Sequence, residues 1–142
     1  MNTRRKLIAA SFALAFILPT PPAVAQTQRR IPLAKLETMF AQMRANTKWN
    51  VDGPLLWGYF FLDPSAEKLK HAATDLEAMG YRVVGIAPGA GRQVFRLHVE
   101  RVEAHTPASL NARNNEFYAL AEKYSLASYD GMDVGPAPVT SK

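Results

Sequence analysis

Apolar residues recur at two different periods along the chain, and the period separates helices from strands. Helical spacing is clear in Leu33, Leu36, Phe40 and Met43, which form one apolar stripe. Alternation marks the strand over 93–103, where Phe95, Leu97 and Val99 point one way and Arg96, His98 and Glu100 the other. The predicted elements are, in chain order, a helix over about 32–46, a strand over 55–62, a helix over about 64–80, strands over 81–87 and 93–103, a helix over about 106–124 and a short strand within 128–135.

Proline, glycine and small polar residues mark the ends of the predicted helices. Asp63 and Pro64 predict an N-cap followed by a proline at the first helical position, and Thr106 and Pro107 repeat this pattern. Gly80 is placed to close the second helix in a left-handed conformation.

The order α-β-α-β-β-α-β predicts an α+β fold. Without its first helix, it is the split βαβ arrangement of a ferredoxin-like sandwich, an antiparallel sheet with helices on one face. The first strand is apolar on both faces, with Trp57, Tyr59 and Phe61 on one side and Phe60 on the other. We expect Trp57 to be buried. We also expect the extra N-terminal helix to cover the second face, in preference to a partner or a second copy of the chain.

Residues 1–25 predict a cleavable signal peptide. They combine the basic group 4–6, an apolar run over 7–18 and the small residues 23–25 that signal peptidase recognises. The apolar run is shorter than the roughly 20 residues that a membrane span needs. We therefore expect cleavage after Ala25 and a single mature domain over 26–142. That domain would be periplasmic or secreted, with no membrane association after cleavage.

Removal of this leader would lower the net charge from +5 to +2, because three of the 17 basic residues leave and all 12 acidic residues stay. So slight a charge, without the basic-Gly-aromatic motif of RNA-recognition strands, argues against a nucleic-acid partner. His98 and Glu100 share the polar face of a strand, but zinc needs at least three protein ligands. We expect no metal and no cofactor.

Two groups of residues suggest catalysis, and each has a simpler explanation. Ser109 and His105 lie close together, but a nucleophilic serine also needs an orienting acid and an oxyanion hole, so helix-start chemistry is favoured. Asp130 and Asp133 flank Gly131, as in many turns, although two carboxylates can also act as an acid/base pair. A small hydrolase-like enzyme that uses the Asp130/Asp133 loop therefore stays an alternative. Another is a carrier of a small ligand, with a pocket beneath the first helix.

Two sequence motifs resemble the family named for regulator of ribonuclease activity B (RraB), an inhibitor of a bacterial endoribonuclease. The first is LAEKYSLASYDGMD at 120–133, a helix end followed by an aromatic-Asp-Gly motif. The second is KLKHAATDLEAMGYRVV at 68–84, a helix that ends in Gly-Tyr. The resemblance covers roughly residues 55–133.

The resemblance implies a ferredoxin-like α+β sandwich that inhibits without catalysis, by binding another protein. We expect a monomer or a weak homodimer whose partner lies outside the cytoplasm. The predicted contact residues belong to the tail and the third helix: Arg113, Asn114, Tyr129, Asp130 and Asp133.

Overall fold

The structure, a computed structural model, describes residues 29–91 and 93–139. The predicted signal peptide lies outside the described residues. Three helices and four strands follow in the predicted order: α1 (Leu33–Asn46), β1 (Leu55–Asp63), α2 (Ala66–Ala78), β2 (Arg82–Pro88), β3 (Phe95–Glu103), α3 (Pro107–Lys123) and β4 (Ser128–Pro136).

The start of α3 and the end of α2 confirm the predicted capping chemistry. Thr106 accepts a hydrogen bond from the backbone N–H of Ser109, and the Ser109 hydroxyl accepts one from the backbone N–H of Thr106. This reciprocal pair, with Pro107 as the first helical residue, is a capping box. Gly80 follows α2 with φ of +96°, a conformation that glycine adopts without a steric penalty.

The predicted start of α2 is wrong, because Ser65 is the N-cap rather than Asp63. The hydroxyl of Ser65 accepts a hydrogen bond from the backbone N–H of Lys68. The buried Asp63 carboxylate accepts from the backbone N–H of Ser65 at 2.7 Å and from that of Ala127 at 2.9 Å. Asp63 therefore ties the end of β1 to the segment that leads into β4.

The four strands form one antiparallel sheet in the order β2-β3-β1-β4. This order, with α2 and α3 as the two crossover helices, confirms the ferredoxin-like α+β sandwich with an extra N-terminal helix. The central strand β1 pairs with both β3 and β4, and its pairing with β4 shifts register between Phe60 and Phe61. That shift marks a bulge at Asp130, where β4 has one residue more than β1.

The hydrophobic core lies between the sheet and the helices. Trp57, Tyr59 and Phe61 point into it from β1, and Trp57 is only 1% exposed, as predicted. The ring of Phe117 on α3 meets those of Tyr59 and Phe61 edge-on, with centroids 4.8 and 5.4 Å apart. Such aromatic contacts fix α3 against the middle of the sheet.

The helix α1 lies on the same side of the sheet as α2 and α3, so the prediction that it covers the second face is wrong. Its Phe40 ring stacks on Trp57 at 5.9 Å, and Trp57 belongs to the core face of β1. α1 also packs against α3. The apolar stripe of α1 therefore widens the helical layer, and no described helix covers the second face of the sheet. No helix within 29–91 and 93–139 is long and apolar enough to cross a membrane.

Candidate protein-binding surface

The second face of the sheet is built from side chains that alternate with the core residues of each strand. We call it the open sheet face. It consists of Leu56, Gly58, Phe60 and Leu62 of β1, Arg82, Val84 and Ala87 of β2, Arg96, His98, Glu100 and Val102 of β3, and Asp133 of β4. Val84 and Val102 are 45% and 47% exposed, so the face presents aliphatic as well as charged groups.

An aromatic and cationic stack occupies the centre of this face. The His98 ring lies nearly parallel to the Phe60 ring at 4.5 Å, and the Arg96 guanidinium carbon lies 3.8 Å from the centroid of the same ring. These two polar neighbours leave Phe60 only 8% exposed. β1 therefore keeps an apolar residue on the open sheet face without a helix above it.

Beside this stack, the side chains of Asp133 and His98 lie over Gly58. A Cβ atom added to Gly58 would lie 2.3 Å from Asp133 Oδ1 and 2.8 Å from His98 Nε2, too close for either contact. The ends of these two side chains thus occupy the space that a larger residue would take. His98 Nε2 is buried and has no hydrogen-bond partner among the described residues.

A groove of about 500 Å³ lies on the same face, and its walls include the β2 bulge. The groove is lined by Phe60, Val84, Gly85, Ile86, Ala87, Pro88, Arg96, His98 and Asp133. An adjoining depression of about 360 Å³ contains Asp130, and Arg96 borders both. At the other end of the face, Arg82 is paired with Glu100.

A second polar cluster lies on the opposite, helical side of the sheet and centres on Glu103. Its carboxylate accepts hydrogen bonds from the Tyr59 hydroxyl at 2.6 Å and from Arg113 at 3.0 Å, and His105 Nε2 lies 2.9 Å away. Burial alone would raise the pKa of Glu103, but these hydrogen bonds and the Arg113 charge hold it at about 2. Burial also raises the pKa of Tyr81, to about 12.

This cluster supplies the acid that the predicted Ser109 and His105 pair lacked. His105 Nδ1 lies 2.9 Å from the Ser109 hydroxyl, so Glu103, His105 and Ser109 form a chain of contacts. The Ser109 hydroxyl, however, already accepts a hydrogen bond from Thr106 in the capping box. These contacts therefore fit helix-start chemistry, which is the explanation favoured from the sequence. They also hold the junction between β3 and α3 together.

Comparison with known sequence families assigns the domain. Residues 34–134 match the family described as regulator of ribonuclease activity B (RraB). The chain belongs to this family. The match begins inside α1 and ends inside β4, so it covers nearly the whole described fold. No curated protein matches the chain at a significant level. The RraB family is regulatory rather than catalytic, and its role is to bind protein.

In this RraB-family domain, two of the five predicted contact residues have to be corrected. Asn114 is fully buried and Tyr129 is 4% exposed. The Tyr129 hydroxyl donates a hydrogen bond of 2.6 Å to the Asn114 side-chain oxygen. Both residues therefore join α3 to β4 inside the core, and neither can touch a partner in this fold.

The other three predicted contact residues lie on two sides of the molecule. Arg113 faces the helical side, where it pairs with Glu103 at 3.0 Å and Glu116 at 2.9 Å. Asp130 and Asp133 are exposed on the other side, in or beside the open sheet face. The five residues therefore do not form one surface, and a contact role for Arg113, Asp130 and Asp133 stays a prediction.

The alternatives considered from sequence gain no support from this geometry. Asp130 and Asp133 line separate depressions, so the two carboxylates do not converge on one reacting centre. Leu36 and Phe40 are packed into the core, so the space beneath α1 is filled. Within the described part of the chain, no group of three or more His, Asp and Glu residues could hold a metal ion.

Several residues whose position was predicted wrongly, or whose role was not predicted, have a recognisable signal in the sequence. Asn114 follows Leu110 by four positions and precedes Phe117 by three, which is the spacing of the buried stripe of α3. The alternation of β3 already put Arg96 and His98 on the polar face. Nothing in the local pattern indicated that the β1 residue beside them would remain without a helical cover.

Proposed function

We propose that this RraB-family domain is a non-catalytic regulator that binds a protein partner through the open sheet face. The observation that carries the proposal is the family match over residues 34–134. The open sheet face supports it, because a broad surface with an aromatic centre and exposed aliphatic groups suits protein recognition. Asp130 and Asp133 belong to this surface or its border, so they stay in the proposed contact region.

We also propose that the partner lies outside the cytoplasm. The basis is the tripartite leader at 1–25, which predicts cleavage after Ala25 and release in the periplasm or outside the cell. Intact-mass measurement of the protein from its host should give Gln26 as the first residue. An uncleaved form retained at the membrane would contradict export.

Partner capture tests the surface. Tagged protein should retain a specific partner from the extracytoplasmic fraction, and Val84→Arg, Val102→Arg or Asp130→Ala should weaken that retention. The two valines are about half exposed, so a polar replacement changes the surface with little effect on the core. Leu33→Arg is the matched control, because Leu33 is 41% exposed on α1, away from the open sheet face.

The proposal is tested by comparing partner retention in the three variants of the open sheet face with retention in the Leu33 variant. Loss of the partner in the three sheet variants, with normal retention by the Leu33 variant, supports the proposal. Equal retention by all variants would show that binding occurs elsewhere. Arg113→Ala is a poor test of contact, because it also removes an ion pair from the partly buried Glu103.

A further inference from the structure

We propose that the open sheet face is self-complementary, and that two copies of the chain stack face to face through it as a weak homodimer. This inference deepens the proposed function and rests on it for its consequence, which is that self-association covers the face until the protein partner displaces the second copy. Three observations carry it: the register of charged residues across the sheet, the exposed aliphatic residues and the size of the face.

Opposite charges lie at the two ends of one row of residues across the four strands. Arg82 of β2 lies opposite Glu100 in the strand register, and Glu100 lies opposite Gly58. Gly58 in turn lies opposite Asp133 of β4. Asp133 is exposed, and no residue in the described part of the chain forms a hydrogen bond or an ion pair with it. A guanidinium therefore stands at one edge of the face, and an unpaired carboxylate stands at the other.

A two-fold axis that runs along the strands, between β3 and β1, brings these opposite charges together. Rotation about this axis exchanges the ends of the row, so that Arg82 of each copy faces Asp133 of the other. Arg82 already pairs with Glu100, and a guanidinium has enough N–H donors to bridge both carboxylates. Because a two-fold interface is isologous, the dimer contains this contact twice.

The same rotation places apolar residues opposite each other in the next row. Val102 and Leu56 are in register on the two strands beside the axis, so each of them faces the other in the second copy. Val102 is 47% exposed and Leu56 is partly exposed, which leaves apolar area for the second copy to cover. In the row of Arg96, the second copy presents Leu62. No charged residue of these rows therefore faces a like charge directly.

The other two-fold arrangement, with the axis across the strands, is less favourable. It would place Val102 over Arg96 and Asp133 over Gly131. An aliphatic side chain would then meet a charged one, and the carboxylate would be covered without a cation to compensate it. The strand register therefore selects the axis along the strands, in which the strands of the two copies run nearly in line, as in aligned sheet packing.

The size of the face predicts that the dimer is weak. Its strands are seven to nine residues long. With roughly 4.8 Å between strands and a rise of roughly 3.3 Å per residue, the face covers about 500 Å². Two copies would bury about 1,000 Å², which is the lower limit for a specific interface. A protein partner with a larger interface can therefore displace the second copy.

Sedimentation velocity at protein concentrations up to the millimolar level tests the dimer with the chain alone. The wild-type protein should shift from monomer to dimer as its concentration rises. Asp133→Arg and Arg82→Glu should each weaken association by about tenfold, because each change sets like charges against each other twice in the dimer. Two controls change the net charge by the same amounts at exposed helical positions, Glu122→Arg on α3 and Lys35→Glu on α1, and should leave association unchanged.

A mixture of the two charge variants tests the register itself. The dimer of one Asp133→Arg copy with one Arg82→Glu copy contains two contacts between these positions. One contact is the natural pair of Arg82 with Asp133, and the other joins the two substituted positions with their charges reversed. The mixture should therefore dimerise about as strongly as the wild type, although each variant alone does not. Circular dichroism shows whether each variant is folded.

A wild-type protein that stays monomeric at every concentration would overturn the inference, and so would a mixture that associates no better than its separate components. This result is independent of the proposed function, which partner capture decides. If the chain dimerises but captures no partner, the protein-binding role fails and the dimer stands. If a monomeric chain captures a partner, the dimer fails and the role stands. Where both occur, added partner should dissociate the dimer, and a complex that retains both copies would overturn the competition.

Discussion

Glu103 and His98 are both polar residues of β3, but the two faces of the sheet give them opposite surroundings. Glu103 receives hydrogen bonds from Tyr59 and Arg113 and contacts His105. His98 Nε2 is buried without any such partner in the described residues. A satisfied polar cluster stabilises a fold, whereas an unsatisfied polar atom is a cost that function can explain. The contacts of Glu103 therefore predict a contribution to stability, which the same reasoning does not predict for His98.

The stability that Glu103 contributes should depend on pH. Its pKa is about 2 in the folded protein against an ordinary value of 4.5, so the folded state favours the ionised form. The contribution is therefore complete above about pH 4.5 and is lost as the pH falls towards 2. Urea unfolding of the wild type should show this loss, and Glu103→Gln should be less stable by about 1–3 kcal/mol at pH 7.

The control for Glu103 is Glu116→Gln. Glu116 also pairs with Arg113, but its side chain is largely exposed, so its loss should cost less than about 1 kcal/mol. If Glu103→Gln keeps the same pH dependence between 4.5 and 2 as the wild type, other carboxylates cause the acid transition.

Trp57 should be one of the most sensitive core positions. It is 1% exposed and stacks on Phe40, so its truncation removes the contact between β1 and α1. Trp57→Ala should cost about 3–5 kcal/mol in the free energy of unfolding, measured with urea. Val102→Ala, on the open sheet face, should cost much less. A Trp57 variant as stable as the wild type would mean that the side chain is not packed in the core.

At the scale of elements, the sequence predicted most of the fold because the signals are local. The capping box at Thr106, the left-handed Gly80 and the alternation of β3 depend on residues close in sequence, and each is found. The N-cap of α2 was misplaced because Asp63 and Ser65 both have side chains that can cap. Only the tertiary contact of Asp63 with Ala127 decides between them.

The position of α1 could not be read from its pattern. An apolar stripe shows that a helix is buried on one side, but not which surface it covers. The second face of β1 suggested a cover, yet Phe60 is enclosed by Arg96 and His98, which come from a neighbouring strand. Side chains of the adjacent strand thus cover Phe60 in place of a helix, and α1 packs against α3 instead. The open sheet face exists for this reason, and the sequence alone did not predict it.

The capping box of α3 allows a test at the element scale. Thr106→Ala removes the side-chain acceptor for the backbone N–H of Ser109 and should cost about 1 kcal/mol. Thr74→Ala is the matched control, because Thr74 lies in the interior of α2 and bonds back to Lys70. There, alanine has the higher helix propensity, so stability should be equal or greater. Equal losses in both variants would show that the cap contributes nothing specific.

At the scale of the whole molecule, family membership suggests a ribonuclease as the target, whereas the leader predicts export. The family match covers the described domain and indicates a regulator of ribonuclease activity. The leader predicts a mature protein outside the cytoplasm, with a net charge of +2.

This conflict predicts that the mature protein does not inhibit a cytoplasmic endoribonuclease. A form without residues 1–25, produced in the cytoplasm, should leave the half-lives of ribonuclease-dependent transcripts unchanged. The physical reason is electrostatic: an acidic inhibitor can be steered to a target with basic segments, but a net charge of +2 gives this chain no such long-range attraction. The measurement is RNA decay after transcription is stopped, with an empty vector and a Val84→Arg form as controls. Unchanged decay, together with capture of an extracytoplasmic partner, supports a regulator that acts on exported protein. Slower decay that the Val84→Arg form does not produce would mean that the open sheet face acts on the nuclease. The proposed site of action would then be wrong, although the proposed surface would still be right.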